Sequence, residues 1–148
     1  MFKSILVATD GSATAEKALD IGLKLAREQD AALLVLTSTT PVDNIYGGGF
    51  GPIDSASITA RVEEAYAEQA GNILAAAASK ADAKGIDAEL LHLPNRHPAQ
   101  AIIETAETRK VDLIVMGSHG RRGLERLLLG SQASEVLTQA RVPVLIAK

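Results

Sequence analysis

The chain contains no cysteine and no tryptophan, and only two Phe and two Tyr among its 148 residues. Without cysteine there are no disulfides and no thiolate metal sites, which agrees with a reducing compartment. So few aromatic rings leave no stacking platform for single-stranded nucleic acid. Neither sign of charge dominates: 15 basic residues face 18 acidic ones, for a net charge of −3. That balance argues against nucleic acid as the main partner. No apolar run approaches the roughly 20 residues that a membrane-spanning helix needs, so no membrane partner is expected. The opening Met1-Phe2-Lys3-Ser4-Ile5 leads straight into a strand and has no signal-peptide pattern. Together these absences point to a cytoplasmic protein.

Hydrophobic residues make up 47% of the chain, enough for a globular core and not for a disordered chain. The length suits one domain over residues 1–148. Ile5-Leu6-Val7-Ala8-Thr9 is a short apolar strand that ends in the turn Asp10-Gly11-Ser12. Over residues 14–29, Ala15, Ala18, Leu19, Gly22, Leu25 and Ala26 recur at helical spacing. Residues 32–37 read as a second buried strand, so the opening unit is strand, helix, parallel strand. Residues 39–57 form an irregular stretch with Pro41, Gly47-Gly48-Gly49, Gly51 and Pro52. The triple glycine is not a P-loop, because it follows the wrong strand and lacks Lys-Ser/Thr. Flexibility is the default for it, and a lid over a ligand crevice is the sharper hypothesis.

Residues 58–83 read as a long amphipathic helix with Ile58, Val62, Ala65, Tyr66, Ala70, Ile73, Leu74 and Ala77 on one face. A third strand at 87–93 follows. Next come a helix at 99–109 (Ala99, Ile102, Ile103 and Ala106 inward), a strand at 113–116, a helix at 132–140 (Ala133, Val136, Leu137 and Ala140 inward) and a strand at 142–147. Alternating strands and helices predict an α/β fold with helices on both faces of a parallel sheet. Such sheets take ligands outside the carboxyl ends of the strands, where the strand order reverses. If the first and fourth strands are neighbours, Asp10 faces Gly117 across one crevice. Pro143 cannot donate a ladder hydrogen bond, so the last strand is expected at an edge. An apolar edge either aggregates or pairs, which makes Val142-Pro143-Val144-Leu145-Ile146-Ala147 a candidate homodimer contact.

The most informative stretch is Gly117-Ser118-His119-Gly120-Arg121-Arg122-Gly123 with Gly130-Ser131 beyond it, a Gly-x2-Gly-x9-Gly-Ser spacing between a strand and a helix. Glycines permit φ > 0 and close approach of the backbone to a ligand. The first N–H groups of the following helix, and its dipole, favour an anion. Ser131 is suited to cap that helix or to donate to a phosphate. Arg121, Arg122 and Arg126 add positive charge, although loop arginines are more often solvated than bound. The alternative is that the glycines serve only turns and packing, and that Asp10 with Ser12 only caps the first helix. Ser118 and His119 do not make a catalytic pair on this reading, since no G-x-S-x-G elbow is present and neighbours in sequence rarely point at each other. His92 and His97 lack metal-ligand companions and read as core or surface residues.

The whole glycine spacing, with Val7-Ala8-Thr9-Asp10-Gly11-Ser12, the strand at 111–116 and Val142-Pro143-Val144-Leu145-Ile146, resembles the universal stress protein family, in its ATP-binding class. The resemblance covers nearly the whole chain. It implies an open five-stranded parallel sheet of order 3-2-1-4-5 (adenine nucleotide alpha hydrolase-like), homodimers and a role in the stress response. It places Gly117 at the ribose and Gly120, Gly130 and Ser131 at the phosphates. Asp10 falls near the sugar and a Mg²⁺ carried by ATP, while Ala8 and Thr9 line the base side. Gln132 and Ala133 would offer backbone amides, and Met116, Ser118 and Arg121 complete the set. Ser38 falls where the family often has a small apolar residue against adenine, and Gln132 stands where some members have valine. ATP is the expected ligand, with ADP or AMP as alternatives.

Fast phosphoryl transfer would call for a positioned base, a cationic clamp and several metal carboxylates. Asp10 is the one obvious carboxylate, so binding with slow or no hydrolysis is expected. The rivals are a nucleotide-independent dimeric interaction module and, further off, a slow ATPase or nucleotidyl transferase.

Overall fold

A computed structural model describes residues 1–42, 55–120 and 129–148. The glycine-rich stretch Gly47-Gly48-Gly49-Phe50-Gly51, with its lid hypothesis, lies outside the described residues, as do Arg121, Arg122, Gly123 and Arg126.

The elements run β1 (Ser4–Ala8), α1 (Ala13–Gln29), β2 (Ala32–Thr39), α2 (Ser55–Ala83), β3 (Ala88–Pro94), α3 (Pro98–Thr108), β4 (Leu113–Gly117), α4 (Ser131–Gln139) and β5 (Val144–Ala147). The five strands form one sheet in the order β3-β2-β1-β4-β5, and every pairing is parallel. The central strands are covered on both sides and read as continuous apolar runs, as buried parallel strands do. Ile5, Leu6, Val7, Ile114 and Val115 have no exposed surface.

Alternation along the strands divides the core in two. Ile5, Val7, Leu33, Val35, Leu113 and Val115 pack against α1 and α2. Leu6, Leu34, Leu36, Ile114 and Met116 pack against α3 and α4. The first helix lies directly on β1, because a Cβ on Gly22 would stand 2.3 Å from Val7 Cγ2. Ser12 caps α1, its Oγ accepting from Ala15 N at 3.3 Å, and Asp30 ends the helix in the left-handed region at φ 53°.

The inward faces differ in detail from the sequence expectation. In α1 Leu23 is fully buried together with Leu19, while Leu25 is only partly buried. In α3, Ala101 and Thr105 are buried alongside Ala99, Ile102 and Ala106, while Ile103 is half-buried. Leu137 of α4 is 43% exposed. The largest departure is α2, in which only Ala70, Leu74, Ala77 and Ala81 are buried among the described side chains. Ile58, Val62 and Tyr66 remain partly exposed and Ala65 exposed. A helix of 29 residues is about 43 Å long at 1.5 Å per residue. A seven-residue strand reaches only about 23 Å, so the first half of α2 overhangs the sheet. Beyond the last helix, β5 begins at Val144 with Pro143 just before it. The Pro143 carbonyl accepts from Ile114 N at 3.0 Å, so the residue without an N–H still contributes its acceptor. As expected, β5 is an edge strand.

Candidate functional site

The two central strands are paired in register, with Ile5, Leu6 and Val7 opposite Leu113, Ile114 and Val115. Their carboxyl ends therefore open side by side, and the turn after β1 meets the turn after β4. This is the adjacency that puts Asp10 across from the glycine segment.

Each side of this crevice is built by local hydrogen bonds. After β1, the buried Thr9 donates its N–H to the Leu36 carbonyl at 2.9 Å, and its Oγ1 accepts from Gly11 N at 3.2 Å. Asp10 Oδ1 accepts from Ser12 N at 2.9 Å. The turn-and-cap reading of Asp10 and Ser12 is thus structurally real, with Oδ1 in the turn. The other, Oδ2, lies against Gly120, where an added Cβ would stand 2.6 Å from it. After β4, Ser118 donates its N–H to the Ala147 carbonyl at 2.8 Å, and Gly130 donates to the Ser118 carbonyl at 2.7 Å. The ends of β4, β5 and α4 are therefore tied at a single residue.

The glycines work by closeness and not by left-handed backbone. Among the described glycines only Gly11 (φ 78°) and Gly85 (φ 70°) have positive φ, so the expectation of φ > 0 fails at Gly117, Gly120 and Gly130. At Gly117 an added Cβ would meet Thr14 Oγ1 at 2.7 Å and the Thr14 carbonyl carbon at 2.9 Å. At Gly130 it would meet the Ser118 carbonyl oxygen at 3.0 Å and His119 Cα at 3.2 Å. The packing role of these glycines is real, and it draws the backbone of the crevice together.

Ser131 does not cap α4. Gly130 is the N-cap residue (φ −60°, ψ 156°) with no side-chain cap, and Ser131 is the exposed first helical residue. As the first residue of the helix it belongs to the turn whose backbone N–H groups a helix cannot pair internally. Ala133 is buried and anchors the same turn. Ala8 packs, half-buried, against the α3–α4 cluster, to which the buried Met116 belongs. Ser38, two residues beyond Leu36, shares the face of that leucine and pairs in register with Leu93. Arg121 lies outside the described residues.

Three connections have no clear sequence signal. Thr14 Oγ1 donates to the His119 carbonyl, clasping α1 to the loop. Ser118 Oγ and His119 Nδ1 share a hydrogen bond of 2.6 Å, so these neighbours do meet, contrary to the expectation for adjacent residues. Ser118 is only 4% exposed, which places its oxygen inside the loop and not at a substrate-facing surface. Gln132 uses its side chain as well as its backbone: its Oε1 accepts from Ala99 N at 2.9 Å. The other histidines are elsewhere. His92 shares a 3.0 Å hydrogen bond with Thr39, and burial pushes its pKa below the usual histidine value; His97 is the exposed N-cap residue of α3.

Among the described residues no group of three or more His, Asp or Glu could hold a metal by itself. Among the described residues no helix is long and apolar enough to cross a membrane.

This strand order, with a glycine-lined crevice at the carboxyl ends of the two central strands, defines a doubly wound α/β protein of the class that takes ligands at the switch point. The chain belongs to the universal stress protein family, whose family profile matches residues 1–148. It is 35% identical to universal stress protein YxiE of Bacillus subtilis over 158 aligned positions, covering 100% of both chains. The fold superposes on the structure of MJ0577, a Methanocaldococcus jannaschii universal stress protein, with a TM-score of 0.84, 27% identity and coverage of 100% and 96% of the two chains. A universal stress protein solved in complex with cAMP is similar at 27% identity and TM-score 0.68, covering 99% and 96%. One from Archaeoglobus fulgidus in complex with dAMP is similar at 25% identity and TM-score 0.65, covering 100% and 98%.

Proposed function

We propose that this chain binds an adenine nucleotide, ATP foremost, in the crevice between the ends of β1 and β4, and that the bound state regulates a stress response. The observation that carries this reading is the bare helix mouth: α4 begins at Gly130 without a side-chain cap, against His119, whose neighbour Gly120 lies beside Asp10. First-turn N–H groups there offer the phosphates donors and a favourable dipole. Relatives in complex with cAMP and dAMP make adenine the natural base. In this reading Gly117 lies by the ribose, and Gly120, Gly130, Ser131, Gln132 and Ala133 surround the phosphates. Ala8, Thr9, Ser38 and Met116 line the base side. Asp10 supplies the protein ligand to a Mg²⁺ held mainly by phosphate oxygens, with Ser118 and Arg121 flanking. With one obvious carboxylate and no positioned base among the described residues, the reading favours binding with little turnover.

The domain acts as a homodimer through β5. That edge strand leaves Val144, Leu145 and Ile146 only half-buried, and Leu137 of the adjacent α4 is exposed. A dimer that forms with no nucleotide bound at any stage would favour the interaction-module reading instead.

The test is to denature the purified protein, identify released nucleotide by chromatography, and titrate stripped protein with ATP with and without Mg²⁺. Released or rebound ATP, weakened when Mg²⁺ is removed, is the expected result. Folded protein that binds no adenine nucleotide would end the proposal. Gly130→Val is a poor control, because its Cβ would strike the Ser118 carbonyl even without ligand. Asp10→Asn and Ser131→Ala are the cleaner variants.

A further inference from the structure

The first turn of α4 is held from two sides. On one side Gly130 donates its N–H to the Ser118 carbonyl at 2.7 Å, tying the turn to the end of β4. On the other, Gln132 Oε1 accepts from Ala99 N at 2.9 Å, tying it to the start of α3. The second tie arises from how α3 begins. Its N-cap residue, His97, makes no side-chain cap bond, and the next residue, Pro98, has no N–H to offer. Ala99 is therefore the first donor of the helix, and it is fully buried. A buried N–H needs a partner. The partner comes from α4, one residue after Ser131.

Gln132 thus has two separable parts. Its backbone N–H belongs to the first turn that faces the crevice, and its side-chain oxygen is committed to α3. Valine at this position could not accept a hydrogen bond, so the tie depends on the residue type present in this chain. The helix is nine residues long and lacks a side-chain cap, so a lateral anchor at its second residue fixes where its first N–H groups stand.

We infer that Gln132 is a positioning residue for the phosphates: through Ala99 it holds the α4 turn in place, and it does so with its side chain and not by touching ligand. This rests on the nucleotide reading given above. Phosphate affinity then depends on Gln132, whereas recognition of the nucleoside does not.

The experiment measures binding of ATP and of adenosine by calorimetry, together with the thermal midpoint, for wild type, Gln132→Leu and the double variant Gln132→Leu/His97→Ser. A serine N-cap gives α3 its own acceptor for the freed N–H, but it does not restore the tie to α4. Gln132→Leu is expected to weaken ATP about tenfold, in the range of one lost hydrogen bond to a positioned group, while adenosine changes less than about twofold. In the double variant the thermal midpoint recovers and ATP affinity stays low. Equal losses for ATP and adenosine would overturn the inference, as would ATP binding restored by His97→Ser, which would make Gln132 only a cap for α3. Unchanged ATP binding in Gln132→Leu would overturn it as well. Wild type that binds neither ligand would bring down the nucleotide reading itself, an outcome distinct from all of these.

Discussion

Two aspartates sit at opposite ends of the same strand pair. At the amino end, Asp112 precedes β4 and accepts from the N–H groups of Lys3 and Ser4, at 3.0 to 3.2 Å, using both oxygens. Its own N–H is donated to the Ser4 carbonyl at 3.0 Å. At the carboxyl end, Asp10 gives one oxygen to Ser12 N and turns the other toward Gly120. The first carboxylate starts the sheet, and the second makes the turn after β1 and lies beside Gly120. The residue type is the same and both stand at strand ends. The same residue type thus serves the start of the sheet at one end and the turn beside the glycine segment at the other.

The surest way to break that contrast is to disturb the ground on which Asp10 stands. Gly117→Val would press a side chain onto the Thr14 backbone, which has no room to yield. Overpacking of this kind should cost about 3 kcal/mol in urea unfolding and remove nucleotide binding as well. Next in size is Asp112→Ala, expected to cost about 1–2 kcal/mol by leaving the start of β1 without its acceptor. ATP affinity should stay within about twofold, because the crevice is at the other end. Asp10→Asn should do the reverse. Asparagine keeps an oxygen for Ser12 N, so unfolding should shift by less than about 1 kcal/mol, while Mg-ATP affinity drops about tenfold, or ~1.4 kcal/mol. Equal effects of the two aspartate variants on binding would erase the distinction.

The smallest effect is a pH dependence belonging to neither end. Burial disfavours the charged form of His92, so its folded pKa lies below its unfolded value. Its contribution is complete above the unfolded pKa near 6.5 and is lost as pH falls through the lower, folded value. The thermal midpoint should drop slightly on acidification across that window, and less so in His92→Gln. A variant with the same slope as wild type would assign the dependence to other groups.

The strand order was legible through the family resemblance, and the meeting of Asp10 with the glycine loop followed once β1 and β4 were neighbours. The apolar runs at 5–9 and 113–116 read as buried parallel strands, and Pro143 marked an edge. Periodicity told which face of α2 turns inward but not how far a sheet reaches beneath it, so Ile58, Val62 and Tyr66 were assigned to a core that ends at Ala70. The glycine spacing was legible as well, but its physical cause was not. Gly117 and Gly130 are small because Thr14 and the Ser118 carbonyl come close, and such contacts exist only once distant segments are packed. The side chain of Gln132 was hidden for the same reason. Its partner, Ala99, is 33 residues away, and nothing at either position names the other.

The central claim is that adenine nucleotide binds where β1 and β4 end. Backbone amide NMR of the stripped protein, titrated with Mg-ATP, tests it most directly. The account predicts shifts at Gly11, Ser12, Ser118, Gly120 and residues 130–133, with Lys3, Ser4 and Asp112 unmoved. Shifts gathered at the amino end of the strand pair, or none at saturating nucleotide, would contradict it.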